Sequence, residues 1–400
     1  MRGGLVGVAM WAVLVGAAGP AGAEGPVAYR MAPDAKEVRG SGSSTAGPEL
    51  APGTGTYTDT LRPGEKRYYT VELDDRSNAY VSAVAVPRPG STMGMRDGIE
   101  LSLQTRDGVS CGTAHHRSFL SVGGAYPVAD YAERIAGAAG PCKAAGTYRF
   151  AVERGEATGG DLSPVPVELK YVTEQPGSAG GTSRPPSVAR ADGEGVTGGT
   201  GFNDAAEVGE GVWKDELRPG ETRFYKVAVD SGEQLFADAE FAAAAGTRYV
   251  VGGVRLGLSN AARGYVMNKT GGYQGKPSTV SLATPPAAYG SATGEAVRGM
   301  RMASWYYLQV SVSAKVRDPA VPVRLRVDVA GAGTAERGAL GGTDHGGTGG
   351  ESVASAGGSR GDERLRIVGY AGGGNGLGAA GGPGGAWTLV ARRRGISQFR

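Results

Sequence analysis

Short runs of alternating apolar and polar residues, each closed by Gly, Pro or Asp, recur along most of this chain. The clearest is Tyr68-Tyr69-Thr70-Val71-Glu72-Leu73, with Tyr69, Val71 and Leu73 on one side and Tyr68, Thr70 and Glu72 on the other. A period of two is the pattern of a half-buried strand. Leu61-Arg62-Pro63-Gly64-Glu65 precedes it. Proline pre-sets φ at the second turn position and glycine supplies the positive φ of the third, as a type II turn requires. Further strands are predicted over residues 79–84, 99–103, 148–152 and 165–171.

The pattern then returns. Leu217-Arg218-Pro219-Gly220-Glu221-Thr222-Arg223-Phe224-Tyr225 stands 156 positions after its first copy, and strands over 234–239, 254–258, 306–312 and 321–327 follow in the same order. Ordered matches at a nearly constant offset predict two copies of one module. Short strands at this spacing predict an all-β fold of two tandem antiparallel β-sandwich domains of jelly-roll type. Their boundaries are set at 51–175 and 201–330, with a Gly/Ser/Pro linker over 176–200 and a flexible leader over 24–50. Residues 331–366 read as a disordered Gly-rich stalk.

Both ends carry address-like patterns. Over residues 1–23, Arg2, an apolar run at 5–15, Pro20 and Ala21-Gly22-Ala23 predict an export signal cleaved before Glu24. The apolar run falls short of the ~20 residues a bilayer requires. Residues 367–391 hold no charge and precede Arg392-Arg393-Arg394 in the tail 392–400. Their length fits a stop-transfer segment with its C-terminus inside. Abundant Gly, Asn375 and Pro383 fit a disordered basic tail instead, so both readings stand.

Composition narrows the partners. The chain has 400 residues, 72 of them Gly, and 42 basic against 39 acidic side chains give a net charge of +3. No basic stripe interleaved with aromatics is present, which argues against nucleic acid. Cys111 and Cys142 are the only cysteines. Outside the cytoplasm a disulfide is their expected state, and the second copy has no counterpart, which points to a staple and not to shared chemistry.

Candidate chemistry is sparse. His115 and His116 are adjacent, and His345 lies in the stalk. Neighbours on an extended chain point apart, so the pair is read as a loop feature and no metal site is assigned. Gly42-Ser43-Ser44-Thr45-Ala46 misses the nucleophile-elbow pattern at its last position, and no P-loop is present. Asp59 and Asp215 recur in register, four residues before Pro63 and Pro219. They are read as turn anchors that hydrogen-bond nearby backbone, with calcium ligation or acid–base work as alternatives. Strand alternation places Tyr68 and Phe224 outward, as a candidate ligand-stacking pair. No catalytic residue and no obligatory cofactor are assigned.

The turn-and-strand unit, followed by Gly146-Thr147-Tyr148-Arg149-Phe150-Ala151-Val152, resembles the bacterial pre-peptidase C-terminal domain. Gly201-Phe202-Asn203-Asp204-Ala205 ahead of Val212-Trp213-Lys214-Asp215 is similar to a group of actinobacterial exported or membrane-anchored proteins. The Asp-Leu-x-Leu strand of the pre-peptidase domain appears here only as Ile99-Glu100-Leu101-Ser102-Leu103 and Val254-Arg255-Leu256-Gly257-Leu258. The resemblance implies β-sandwich modules on an exported protein. The expected function is non-catalytic binding of a wall polymer or another exported protein at the cell surface. The alternatives are a carboxylate-dependent hydrolase acting at the interface of the two blocks, or an accessory subunit of an export or peptidase system.

Overall fold

The Arg-Pro-Gly-Glu turn forms twice, by the same means. Gly64 and Gly220 take φ of 69° and 92°, and the Glu65 and Glu221 amides each donate to the carbonyl three residues back at 3.0 Å. Each glutamate side chain closes the turn as well, accepting the Arg62 amide at 2.9 Å and the Arg218 amide at 3.0 Å. The computed structural model describes residues 25–53, 55–119, 126–138, 140–175, 191–246, 248–288 and 294–331. All of them belong to one unit, Met1–Leu340.

Strands dominate it. The first half contains β1 (Lys36–Glu37), β2 (Thr56–Leu61), β3 (Lys66–Leu73), β4 (Asn78–Ala85), β5 (Gly98–Gln104), β6 (His115–Ser118), β7 (Val128–Arg134), β8 (Gly146–Arg154) and β9 (Val165–Glu174). The second contains β10 (Ala191–Gly195), β11 (Ala206–Glu207), β12 (Gly211–Leu217), β13 (Thr222–Val229), β14 (Glu233–Phe241) and β15 (Val250–Ser259). It continues with β16 (Tyr265–Tyr273), β17 (Ser278–Ala283), the short helix α1 (Glu295–Gly299), β18 (Ser304–Val312) and β19 (Val321–Gly331).

Four sheets result, and corresponding strands take corresponding places. In the first half, β1-β2-β9-β4-β7 faces β3-β8-β5-β6, and in the second, β10-β12-β19-β14-β17 faces β11-β13-β18-β15-β16. Inward residues from both sheets of a pair fill one core. Tyr69, Val71, Val81, Phe150 and Leu169 share the first, and Tyr225, Val227, Leu235, Leu308 and Leu325 share the second. The alternation of Tyr69, Val71 and Leu73, and of Tyr225, Val227 and Val229, points inward as the sequence pattern requires.

The leader and residues 191–200 of the linker differ from expectation, while 176–190 lie outside the described residues. Within 24–50, β1 pairs in parallel with β2, Ser41 bridges to Tyr68, and Leu50 is fully buried. Within 176–200, β10 pairs in parallel with β12 and Gly199 bridges to Phe224. Their glycines serve close approach here. A Cβ on Gly40 would meet Tyr69 Cζ at 2.7 Å, and one on Gly198 would meet Tyr225 Cζ at the same distance. Ordered structure therefore extends into both segments beyond the boundaries drawn at 51 and 201. The signal over 1–23, the stalk from 332 onwards, His345 and the segment 367–391 lie outside the described residues. Among the described residues no helix is long and apolar enough to cross a membrane.

Candidate functional site

Asp59 and Asp215 each serve their own half. Asp59 Oδ2 accepts the Gly40 amide and the Tyr69 hydroxyl, both at 2.8 Å, while Oδ1 accepts the Thr60 amide at 2.7 Å. Asp215 repeats this with the Gly198 amide at 2.9 Å, the Tyr225 hydroxyl at 2.6 Å and the Glu216 amide at 2.7 Å. Burial and the adjacent carboxylate push both phenols well above their usual range. The two carboxylates lock an incoming segment onto a core tyrosine, each within its own half.

The proposed stacking pair divides. Tyr68 is half-buried, with Lys66 Nζ 5.8 Å from its ring centroid. Phe224, expected outward and exposed, is 0% exposed. Its outward face is covered: Tyr29, from the leader, and Phe202 pack edgewise and tilted on it at 5.5 and 5.1 Å, and Val84, Val86 and Ala129 of the first half join the cluster. Alternation correctly put Phe224 off its own core, but a second contact surface covers it. The disulfide Cys111–Cys142 forms and closes a loop of sequence separation 31.

The two halves meet along β4 and β7 on one side and β15, β16 and β18 on the other. Every residue of β4 is buried, because its second face is covered too. Val84, Val86 and Ala129 join Phe202, Ala205 and Phe224 in one cluster, and Tyr80 and Tyr131 join Ala262 and Met302 in another. Between them Glu168, 0% exposed, accepts from Arg263 Nη1 at 2.6 Å, Asn203 Nδ2 at 2.9 Å and Tyr29 Oη at 3.3 Å. Here the seam is packed, and the buried Glu168–Arg263 charges are paired.

A cavity of about 250 Å³ opens in that seam, lined from the first half by His116, Arg117, Ser118, Tyr126, Val128 and Ala129. The second half supplies Arg255, Leu258, Ser259, Tyr265, Asn268 and Gln309. Arg117 is neutralised: Nε donates to Asp130 Oδ2 at 2.6 Å, Nη2 pairs with Glu295, and the guanidinium stacks 3.8 Å over Tyr265. Asp130 also takes the Tyr265 amide at 3.1 Å, which ties β7 to β16. Arg255 is different. It is 5% exposed, its Nε and Nη1 have no hydrogen-bond partner, and among the described residues it forms no ion pair. Its guanidinium lies 5.6 Å from the Tyr126 ring, whose hydroxyl donates to the Gly252 carbonyl at 3.0 Å. Burial pushes Arg255 below the usual arginine range and the Tyr126 phenol up to about 12.

A second cavity, of about 230 Å³, adjoins the disulfide and is lined by His115, Glu133, Arg134 and Arg298 among others. Burial raises Glu133, and Arg301 at 3.6 Å opposes that rise. His115 Nδ1 lies 3.5 Å from Asp130 Oδ2. Among the described residues no group of three or more His, Cys, Asp or Glu side chains is arranged to hold a metal.

Sequence patterning passed over Arg117, Tyr126, Arg255, Tyr265 and Gln309. One signal was present: in Val254-Arg255-Leu256-Gly257-Leu258 the outward positions are a charge and a glycine, the pair that leaves room beside a strand.

No family model matches the chain, and no curated protein matches it. Among solved structures, an uncharacterised protein from Burkholderia cenocepacia is similar at 12% identity, over 70% of this chain and 82% of that one, with a TM-score of 0.20. The tandem CBM22-1–CBM22-2 domains of Paenibacillus barcinonensis Xyn10C are similar at 8% identity, over 69% and 86%, with a TM-score of 0.20. The CUB1-EGF-CUB2 segment of human MASP-1/3 is similar at 6% identity, over 68% and 99%, with a TM-score of 0.17.

Proposed function

We propose that this chain is an exported, non-catalytic binding protein of the cell envelope, which takes a wall polymer in the seam between its two β-sandwich halves. One observation carries the reading: a cavity of mixed lining, with a buried arginine and several hydroxyl and amide groups, sits in an interface that is otherwise apolar or charge-paired. Natural ligand sites concentrate at such junctions, where a few placed polar groups set orientation. The disulfide and the export-signal pattern support a location outside the reducing cytosol. The resemblance of the turn-and-strand units to pre-peptidase C-terminal domains supports a module that binds and does not turn over its ligand.

The test is co-sedimentation of the mature chain with insoluble wall polymer from the producing cell. Retention that is lost when Gln309 and Asn268 are both replaced by alanine supports the reading. Equal recovery of wild type and this variant, or none of either, overturns it. Capture of an exported protein in place of polymer would assign the seam to a protein partner.

A further inference from the structure

Among the described residues Arg255 is the lining arginine of the seam cavity whose charge no carboxylate answers. No carboxylate among the described residues forms an ion pair with it, and the neutral Tyr126 ring is the group that lies over its guanidinium, at 5.6 Å. A buried guanidinium with unmet donors is costly to keep, and because Nε and Nη1 are closed off, an acceptor arriving from outside meets it at the remaining nitrogen, Nη2. The geometry excludes some acceptors. Arg117, across the cavity, already carries Asp130 and Glu295, and two carboxylates there repel a multiply charged ligand. A single negative charge balances Arg255. Arginine and a carboxylate match in charge and in planar hydrogen-bonding geometry.

The remaining lining identifies what carries the carboxylate. Ser118, Ser259, Asn268 and Gln309 come from both halves, and all of them donate and accept. Gln309 Nε2 is held on Ser259 Oγ at 2.9 Å, so its carbonyl oxygen is left to take a donor. Hydroxyls and amides set beside the Tyr126 and Tyr265 rings suit a ring that bears several hydroxyls better than the aliphatic stem of an acidic amino acid. On the reading of this chain as a wall-polymer binder, on which the following rests, we infer that Arg255 binds the carboxylate of an acidic sugar residue seated in this cavity.

Calorimetric titration of the mature chain with D-glucuronate tests it, with D-glucose, N-acetyl-L-glutamate and inorganic phosphate as comparisons. Glucuronate is expected to bind, glucose not detectably, and Arg255→Gln to weaken glucuronate at least about tenfold, the loss of one charge-assisted contact. Absent binding, or equal affinity of wild type and Arg255→Gln, overturns the assignment. Tighter binding of N-acetyl-L-glutamate overturns it in favour of an acidic peptide, and tighter binding of phosphate in favour of a phosphorylated ligand. Should Arg255→Gln fail to fold, the arginine Nε–H resonances of the wild-type chain decide. One buried guanidinium must shift on adding glucuronate, and no shift overturns the proposal. Wall-polymer retention that survives in Arg255→Gln would sink this inference and leave the binding function standing. Arg255-dependent glucuronate binding without polymer retention would do the reverse.

Discussion

Tyr225 donates a 2.6 Å hydrogen bond to Asp215, through the same oxygen that accepts the Gly198 amide. Tyr69 and Asp59 repeat the arrangement around Gly40. Each carboxylate thus satisfies two donors that belong to different segments, one from a core strand and one from the chain entering the sandwich. Arg223 and Arg67 complete the lock by donating to the Gly198 carbonyl at 3.4 Å and the Gly40 carbonyl at 2.8 Å.

Asp215→Ala is therefore expected to lower unfolding free energy by about 2–4 kcal/mol, because it strands a phenol and an amide that had a charged acceptor. Asp215→Asn keeps an acceptor and is expected to lose less. Urea denaturation of both variants measures this. Since all the hydrogen bonds made by Asp59 and Asp215 are internal, added calcium is expected to leave the wild-type melting temperature unchanged. A rise on adding calcium would return these residues to ligand duty.

The Glu168–Arg263 pair holds the seam by a different logic. Glu168→Ala is expected to cost about 3–5 kcal/mol, because it leaves Arg263 buried without its counter-charge. Replacing both together, Glu168→Leu with Arg263→Met, is expected to cost less than the single change. A double-mutant cycle by chemical denaturation reads the difference, and additive losses would show that the two do not act as a pair.

Alternation and turn chemistry made the inward faces legible, as Tyr69, Val71 and Leu73 and their counterparts illustrate. They could not reveal which outward faces would be covered. Phe224 is outward in its own sheet and still wholly buried, because Tyr29 arrives from nearly two hundred residues upstream. Composition misread residues 25–50 and 191–200 for a related reason. Glycine marks flexible chain, and it equally marks places where backbone must pass close over a ring, as Gly40 and Gly198 do over Tyr69 and Tyr225. Arg255 was legible only as an outward charge. Its isolation depends on what the other half brings, and local periodicity carries no such information.

The disulfide closes a loop between cysteines 31 positions apart. On the chain-entropy account this is worth roughly 3–4 kcal/mol, so Cys111→Ala with Cys142→Ala is expected to lower stability by about that amount. Retention on wall polymer should be unaffected below the melting transition. Lost retention in a folded double variant would give the disulfide a part in binding.

Acid sensitivity has an identifiable contributor in Asp74. Hydrogen bonds from the Ser77 amide and hydroxyl and from the Arg76 amide hold its carboxyl at about 2. A folded-state value below the unfolded one stabilises the fold above the unfolded pKa, and that share is lost as pH falls through the folded value. The window is thus about pH 4 down to 2. Asp74→Asn is expected to flatten the fall of melting temperature across it. The effect will be modest, because the side chain is 52% exposed and solvent screens its charge. An identical slope in wild type and variant would remove Asp74 from the account.

Arg255→Met separates a binding arginine from a structural one without any ligand. If Arg255 served packing alone, methionine, shorter and without a guanidinium, would leave a void beside Tyr126 and lower stability. If instead it is kept for an incoming carboxylate, the empty protein bears the desolvation of a charge whose Nε and Nη1 go unmet. Removing that charge is then expected to raise stability by about 1–3 kcal/mol. Thermal and urea unfolding of the two chains measure it. A variant destabilised by more than about 1 kcal/mol, beyond the scatter of ordinary surface changes, would mean that the folded chain itself answers the charge. A stabilised variant that no longer takes up glucuronate would instead identify Arg255 as a group held at a cost to the fold for the sake of what it binds.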